Sequence, residues 1–68
     1  MLDESFITLG NTYHVYMDSA EEPYTGTIEN CKGGFIAVDV QQEDEDGEIS
    51  FVKTIINLSH VVMLIEAE

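Results

Sequence analysis

Arginine and tryptophan are absent from this 68-residue chain, and cysteine and proline occur once each, as Cys31 and Pro23. A single cysteine excludes an internal disulfide. Cys31, His14 and His60 are the only soft metal ligands, too few for a structural zinc site. Positive charge is nearly missing as well: Lys32 and Lys53 stand against fourteen acidic residues, for a formal charge of −12. Proteins that hold nucleic acid generally draw affinity from Lys and Arg displacing phosphate counterions, and this chain has little to do that with. No apolar run approaches the roughly 20 residues of a membrane-spanning helix, and no basic-then-apolar segment reads as a secretory signal. The expectation is a cytoplasmic protein in a reducing compartment, with no membrane partner and no cofactor or metal.

What the chain does have is apolar material. Hydrophobic residues make up 44% of it, which rules out a disordered polymer. The length fits one domain spanning 1–68. A domain this short buries only about 60% of its unfolded surface, so self-association is the remaining way to gain stability.

Alternation of apolar and polar residues marks the strands. Residues 1–10 form a leader, in which Asp3, Glu4 and Ser5 open one or two helical turns with Phe6, Ile7 and Leu9 on the apolar side and Gly10 as the stop; a pre-strand segment is the alternative. Tyr13, Val15 and Met17 face one way in a first strand over 13–18, opposite His14, Tyr16 and Asp18. Ser19 to Pro23 is a loop. Tyr24, Gly26 and Ile28 share one face of a second strand over 24–30, and a glycine inside a strand marks a bend or a close backbone approach. Lys32-Gly33-Gly34 is a tight turn. A third strand covers 35–40, followed by a polar hairpin tip whose acidic part is 43–48. A fourth strand covers 48–57, where the doublets Phe51-Val52 and Ile55-Ile56 suggest a bulge, a bend or burial on both sides. Asn57 to His60 is a corner, and Val61 to Ile65 is a fifth strand. A helix carrying Ile55, Leu58, Val62 and Ile65 on one face is the competing reading of the last segment, and its density of β-branched residues favours strands.

Five short strands with tight connections predict a mainly β fold: a small, strongly bent five-stranded antiparallel barrel with a short N-terminal helix. Val61-Val62-Met63-Leu64-Ile65 does not alternate, so both of its faces want cover. An exposed edge of that kind aggregates unless it is paired. Head-to-tail pairing with copies of itself closes a ring, with Val61, Val62, Met63, Leu64, Ile65, Phe51 and Val52 at the interface.

The chain resembles the Sm-like (LSm/Hfq-type) family of bent, SH3-like barrels. Gly10, Val15, Tyr24, Gly26 and Ile28 are similar to the glycine, valine and y-x-G-x-hydrophobic pattern of that family's first motif. The segment from Gly26 to Cys31 (GTIENC) resembles the glycine-led second strand of the bacterial members. The segment from Ile55 to Glu66 (IINLSHVVMLIE) resembles the second motif, a strand, a corner and a last strand. The resemblance covers residues 3–66. It departs at Lys32, Gly34 and Ile36, where the family carries an acidic residue, an aromatic and an asparagine. It departs again at Asn57 and Leu58, where the family carries a basic residue and a glycine. The resemblance therefore implies fold and ring assembly, with about five to seven subunits, more strongly than the family's uridine-rich RNA pocket.

That resemblance places Lys32 at the central opening of a ring. One lysine from each subunit would form a positive collar there. Asn30 and Asn57 would offer hydrogen bonds and Phe35 or Tyr24 a stacking face, a set suited to single-stranded RNA or DNA. The plainer reading of Lys32 is a solvated turn residue. In the acidic tip, setting Gly47 at the sixth position of an EF-hand loop puts Asp44 and Asp46 at ligand positions. It also puts Gln42 first and Lys53 twelfth, where the template fails. A solvated tip that discourages stray edge pairing fits better. His14 and His60 read as a surface and a corner residue, and Cys31 as a packed free thiol. No nucleophile elbow, phosphate loop or separated carboxylate pair is present, so the expectation is a non-enzymatic protein. An acidic protein-interaction module, or a decoy that mimics nucleic acid, is the alternative that the charge supports.

Overall fold

The computed structural model describes residues 4–67. It is one antiparallel sheet of five strands, β1 (Thr12–Met17), β2 (Tyr24–Lys32), β3 (Phe35–Glu43), β4 (Ile49–Asn57) and β5 (Val61–Glu66), in the order β4-β3-β2-β1-β5. The sheet does not close into the expected barrel. β4 pairs only with β3 and β5 only with β1, so both outer strands keep an open edge. Closure needs hydrogen bonding between β4 and β5, and the three-residue helix Leu58–His60 stands between them instead.

The expected N-terminal helix is also absent. A single 3-10 turn, Glu4–Phe6, takes its place, and Asp3 lies outside the described residues. Phe6 and Leu9 stay exposed, while Ile7 packs on the core. Beyond that turn, the leader is held by hydrogen bonding to strands. Thr8 N donates to the Tyr13 hydroxyl at 2.9 Å, and Gly10 N donates to Ile28 O at 2.8 Å. No helix of the described residues is long and apolar enough to cross a membrane.

The inward faces follow the sequence pattern. Tyr13, Val15, Ile28, Ile36, Val38, Val40, Ile56, Leu58 and Val61 form the buried core, with Met17, Cys31 and Leu64 packed against it. Each fully buried aliphatic side chain of this kind contributes roughly 1.5–3 kcal/mol. At Gly26 the β3 backbone leaves no room for a side chain on β2. A Cβ there would sit 2.2 Å from the Asp39 carbonyl oxygen, so only glycine fits.

Two register shifts decide which side chains point outward. Between Ile28 and Asn30 the pairing with β3 skips Glu29. Strict alternation would carry Asn30 and Lys32 onto the core face after Gly26 and Ile28. The bulge reverses that: Cys31 turns in toward Ile36, and Asn30 and Lys32 turn out beside Ala37 and Phe35. The second shift lies between β1 and β5, where Tyr16 faces Met63 and Met17 faces Val61. Val62 is left over, so Val61 and Leu64 point inward and Val62, Met63 and Ile65 remain exposed. No bulge occurs at the β4 doublets. β3 and β4 pair without interruption from Phe35↔Asn57 to Glu43↔Ile49.

Candidate nucleic-acid interface

The β2–β3 turn sits at one end of the sheet and is built by Gly33 and Gly34, both with positive φ (59° and 83°), a conformation open to glycine at no steric cost. Next to it, on the outward face, Asn30, Lys32, Phe35, Ile36, Ala37 and Ile55 line a shallow pocket of about 120 Å³. Drug-sized ligands occupy roughly 300–1,000 Å³, so this pocket suits one ring or one phosphate rather than an enclosed metabolite.

The polar groups of the pocket donate. Asn30 Oδ1 accepts from the Cys31 backbone N–H at 2.8 Å, which leaves the side-chain NH2 for a ligand. Lys32 makes no ion pair among the described residues, whereas Lys53 lies 3.6 Å from Glu29 Oε2. No acidic residue occurs between Asn30 and Val38. Phe35 is half exposed and offers a ring face, and Ile55 and Ala37 supply an apolar wall.

The bulge at Glu29 thus brings together three of the residues the sequence singled out, Asn30, Lys32 and Phe35. Asn57 is opposite Phe35 in the β3–β4 register, but its Oδ1 accepts from Ser59 N at 3.0 Å and caps the short helix. Tyr24 is not part of this site. It begins β2, opposite Val15, at the far end of the strand and on the other side of the bulge. Ala37 and Ile55 were not singled out. Ala37 was legible in principle, as the outward residue between Ile36 and Val38. Ile55 becomes legible only once β4 is in register with β3.

The remaining chemistry-bearing residues lie elsewhere. His14 Nδ1 is 2.8 Å from Thr25 Oγ1, a cross-strand contact, and His60 Nδ1 is 3.3 Å from Asp18 Oδ2 at the corner. Among the described residues no group of three or more His, Cys, Asp or Glu is arranged to hold a metal ion. In the acidic tip, Asp44 Oδ1 accepts from Asp46 N and Glu48 N and so closes a turn.

Charge is divided along the sheet. The β1–β2 loop and the β3–β4 tip emerge at the end opposite Lys32. Together they carry Asp18, Glu21, Glu22, Glu43, Asp44, Glu45, Asp46 and Glu48, eight of the fourteen acidic residues. The open edges carry the exposed apolar residues Phe51 and Val52 on β4 and Val62, Met63 and Ile65 on β5. Val61, expected at an interface, is buried in its own chain because the bulge turns it inward. Compared with family models, with curated proteins and with solved structures, the chain matches none.

Proposed function

We propose that this chain is an Sm-like subunit that joins copies of itself, β4 edge to β5 edge, into a closed ring and binds single-stranded RNA or DNA at the Lys32 end. The observation that carries the reading is the pair of unlike open edges on the two sides of one sheet, with Val52 exposed on β4 and Val62, Met63 and Ile65 exposed on β5. Unlike edges pair head to tail, and head-to-tail pairing that closes gives a ring. Pairing satisfies the backbone groups that a lone edge leaves open.

The pocket supports the nucleic-acid half of the proposal. Its donors, its unpaired lysine and its half-exposed phenylalanine match what a phosphate and a stacked base require. Repetition around a ring gathers one Lys32 per subunit, while the two acidic loops leave the opposite ends of the strands. Screening over roughly 8 Å at physiological salt keeps those carboxylates from disrupting assembly.

Filter binding at low salt with oligo-U, oligo-A and a mixed-sequence DNA tests the ligand. Retention of at least one of them is expected, and Phe35→Ala should weaken it about tenfold through lost stacking. No retention at protein concentrations on the order of tens of micromolar rejects nucleic-acid binding. Light scattering across a salt series tests the ring. A mass several times that of one chain is expected, falling as salt is lowered, and the mass of a single chain at every salt concentration rejects it.

A further inference from the structure

The last three β3–β4 pairs, Gln41↔Phe51, Gln42↔Ser50 and Glu43↔Ile49, lie beyond Gly26↔Val40, the last pair joining β2 to β3. Past that point the two strands run on as an arm, and every residue from Gln41 to Phe51 is exposed. Two-stranded ribbons are marginally stable in water on their own. This one is ordered at its tip. Asp44 Oδ1 accepts from Asp46 N at 2.9 Å and from Glu48 N at 2.8 Å, and Asp44 N donates to Glu48 O at 2.9 Å. Strand alternation sets Ile49 and Phe51 on one face, 57% and 64% exposed. Glu43 is opposite Ile49, Asp44, Glu45, Asp46 and Glu48 complete the tip, and the arm has no cation.

Two large apolar side chains on an ordered, acidic arm narrow the choice of what covers them. Nucleic acid and anionic membrane surfaces are repelled by the carboxylates. A second copy meets the β4 edge through its backbone and offers the tip carboxylates only two lysines, one of them already held by Glu29. A cationic protein surface satisfies both features at once. We infer that the arm from Gln41 to Phe51 docks on a basic protein, with Ile49 and Phe51 entering an apolar cleft and Lys or Arg at the rim of that cleft meeting the tip carboxylates. An apolar centre inside a charged rim is the usual anatomy of a specific interface. Phe51 lies about 13 Å along β4 from Ile55 of the Lys32 pocket and the tip lies farther still, so the two sites do not overlap. Edge pairing of β4 uses its backbone and leaves the side chains of its outer face available.

The test uses the full chain and two cationic probes of equal charge, poly-lysine and an alternating leucine–lysine peptide, with affinity read by fluorescence anisotropy. The mixed peptide should bind at least about tenfold tighter than poly-lysine. Ile49→Ser with Phe51→Ser, at positions that contribute nothing to the core, should erase that advantage and leave poly-lysine binding unchanged. Glu45→Gln with Asp46→Asn should weaken binding of the mixed peptide more than Glu21→Gln with Glu22→Gln, which removes the same charge from the other loop. An advantage that survives the serine pair overturns the inference. Equal weakening by the two neutralised pairs overturns it too, by reducing the effect to bulk charge. A fall in the sedimenting mass of the serine variant also overturns it, by assigning the arm to a second copy, and a fall in its oligonucleotide retention does so by assigning the arm to the nucleic-acid site.

Discussion

β3 and β4 pair residue for residue over nine positions and bury very different amounts. β3 encloses Ile36, Val38 and Val40, whereas β4 encloses only Ile56. Composition does not explain this, since β4 holds Ile49, Phe51, Val52, Ile55 and Ile56. Position does. β3 has a neighbour on each side and faces a core that includes Val15, Ile28 and Leu58. β4 has a neighbour on one side, and its outer half extends past the end of β2. Burial in a small sheet is a property of place, and apolar side chains that lack such a place are left for other molecules.

The widest test of this contrast compares adjacent residues of one strand. Ile56 is 3% exposed and Ile55 is 63% exposed. Ile56→Ala should destabilise the chain by about 3 kcal/mol, while Ile55→Ala should stay within about 0.5 kcal/mol. Urea unfolding of the two variants decides it, and equal losses would mean that something covers Ile55. A domain of this size has roughly 3–10 kcal/mol in all, so the Ile56 variant should sit close to its folding limit. Gly26→Ala comes next. Its methyl group meets the Asp39 carbonyl, and the forced separation of β2 from β3 should cost about 1–3 kcal/mol, read as a lowered thermal midpoint.

Smaller effects belong to the corner and the surface. Asn57→Ala removes the oxygen that accepts from Ser59 N and should cost about 1 kcal/mol in the same unfolding assay. The Lys53–Glu29 pair is open to solvent on both partners, so a double-mutant cycle with Lys53→Gln and Glu29→Gln should return a coupling below about 0.5 kcal/mol that shrinks further with salt.

Much of the architecture was legible in the chain. Local pattern located all five strands, by alternation in β1 and β2 and by β-branched density in the last two, and it set Tyr13, Val15 and Met17 on one face; the glycine within β2 announced the close approach at Asp39. What was not legible depends on pairing. Alternation within one segment does not reveal a skipped partner, so the bulges at Glu29 and Val62 went unseen, while the β4 doublets, read as a bulge, a bend or burial on both sides, pair with β3 without a bulge and leave Phe51, Val52 and Ile55 exposed. The expectation of a closed barrel failed for a related reason, because closure rests on contact between strands that local pattern does not describe. The leader reads as a short helix or a pre-strand segment, and beyond one 3-10 turn it is tied to the sheet through Thr8 N and Gly10 N. The same logic governs the site. Asn30, Lys32 and Phe35 converge because one hairpin carries them. Tyr24 does not, because eight residues of strand and a bulge separate it from Lys32.

The single turn Leu58–His60 is fastened at both ends: Leu58 N donates to Gly34 O, and His60 O accepts from Asp18 N. It therefore behaves as a rigid spacer whose length sets the angle between the two free flanks of the molecule. Any multimer that joins flank to flank inherits its rotation per step from these three residues. In the proposed ring, one residue inserted there would change how many members complete the circle, or leave an open helix in place of a closed figure.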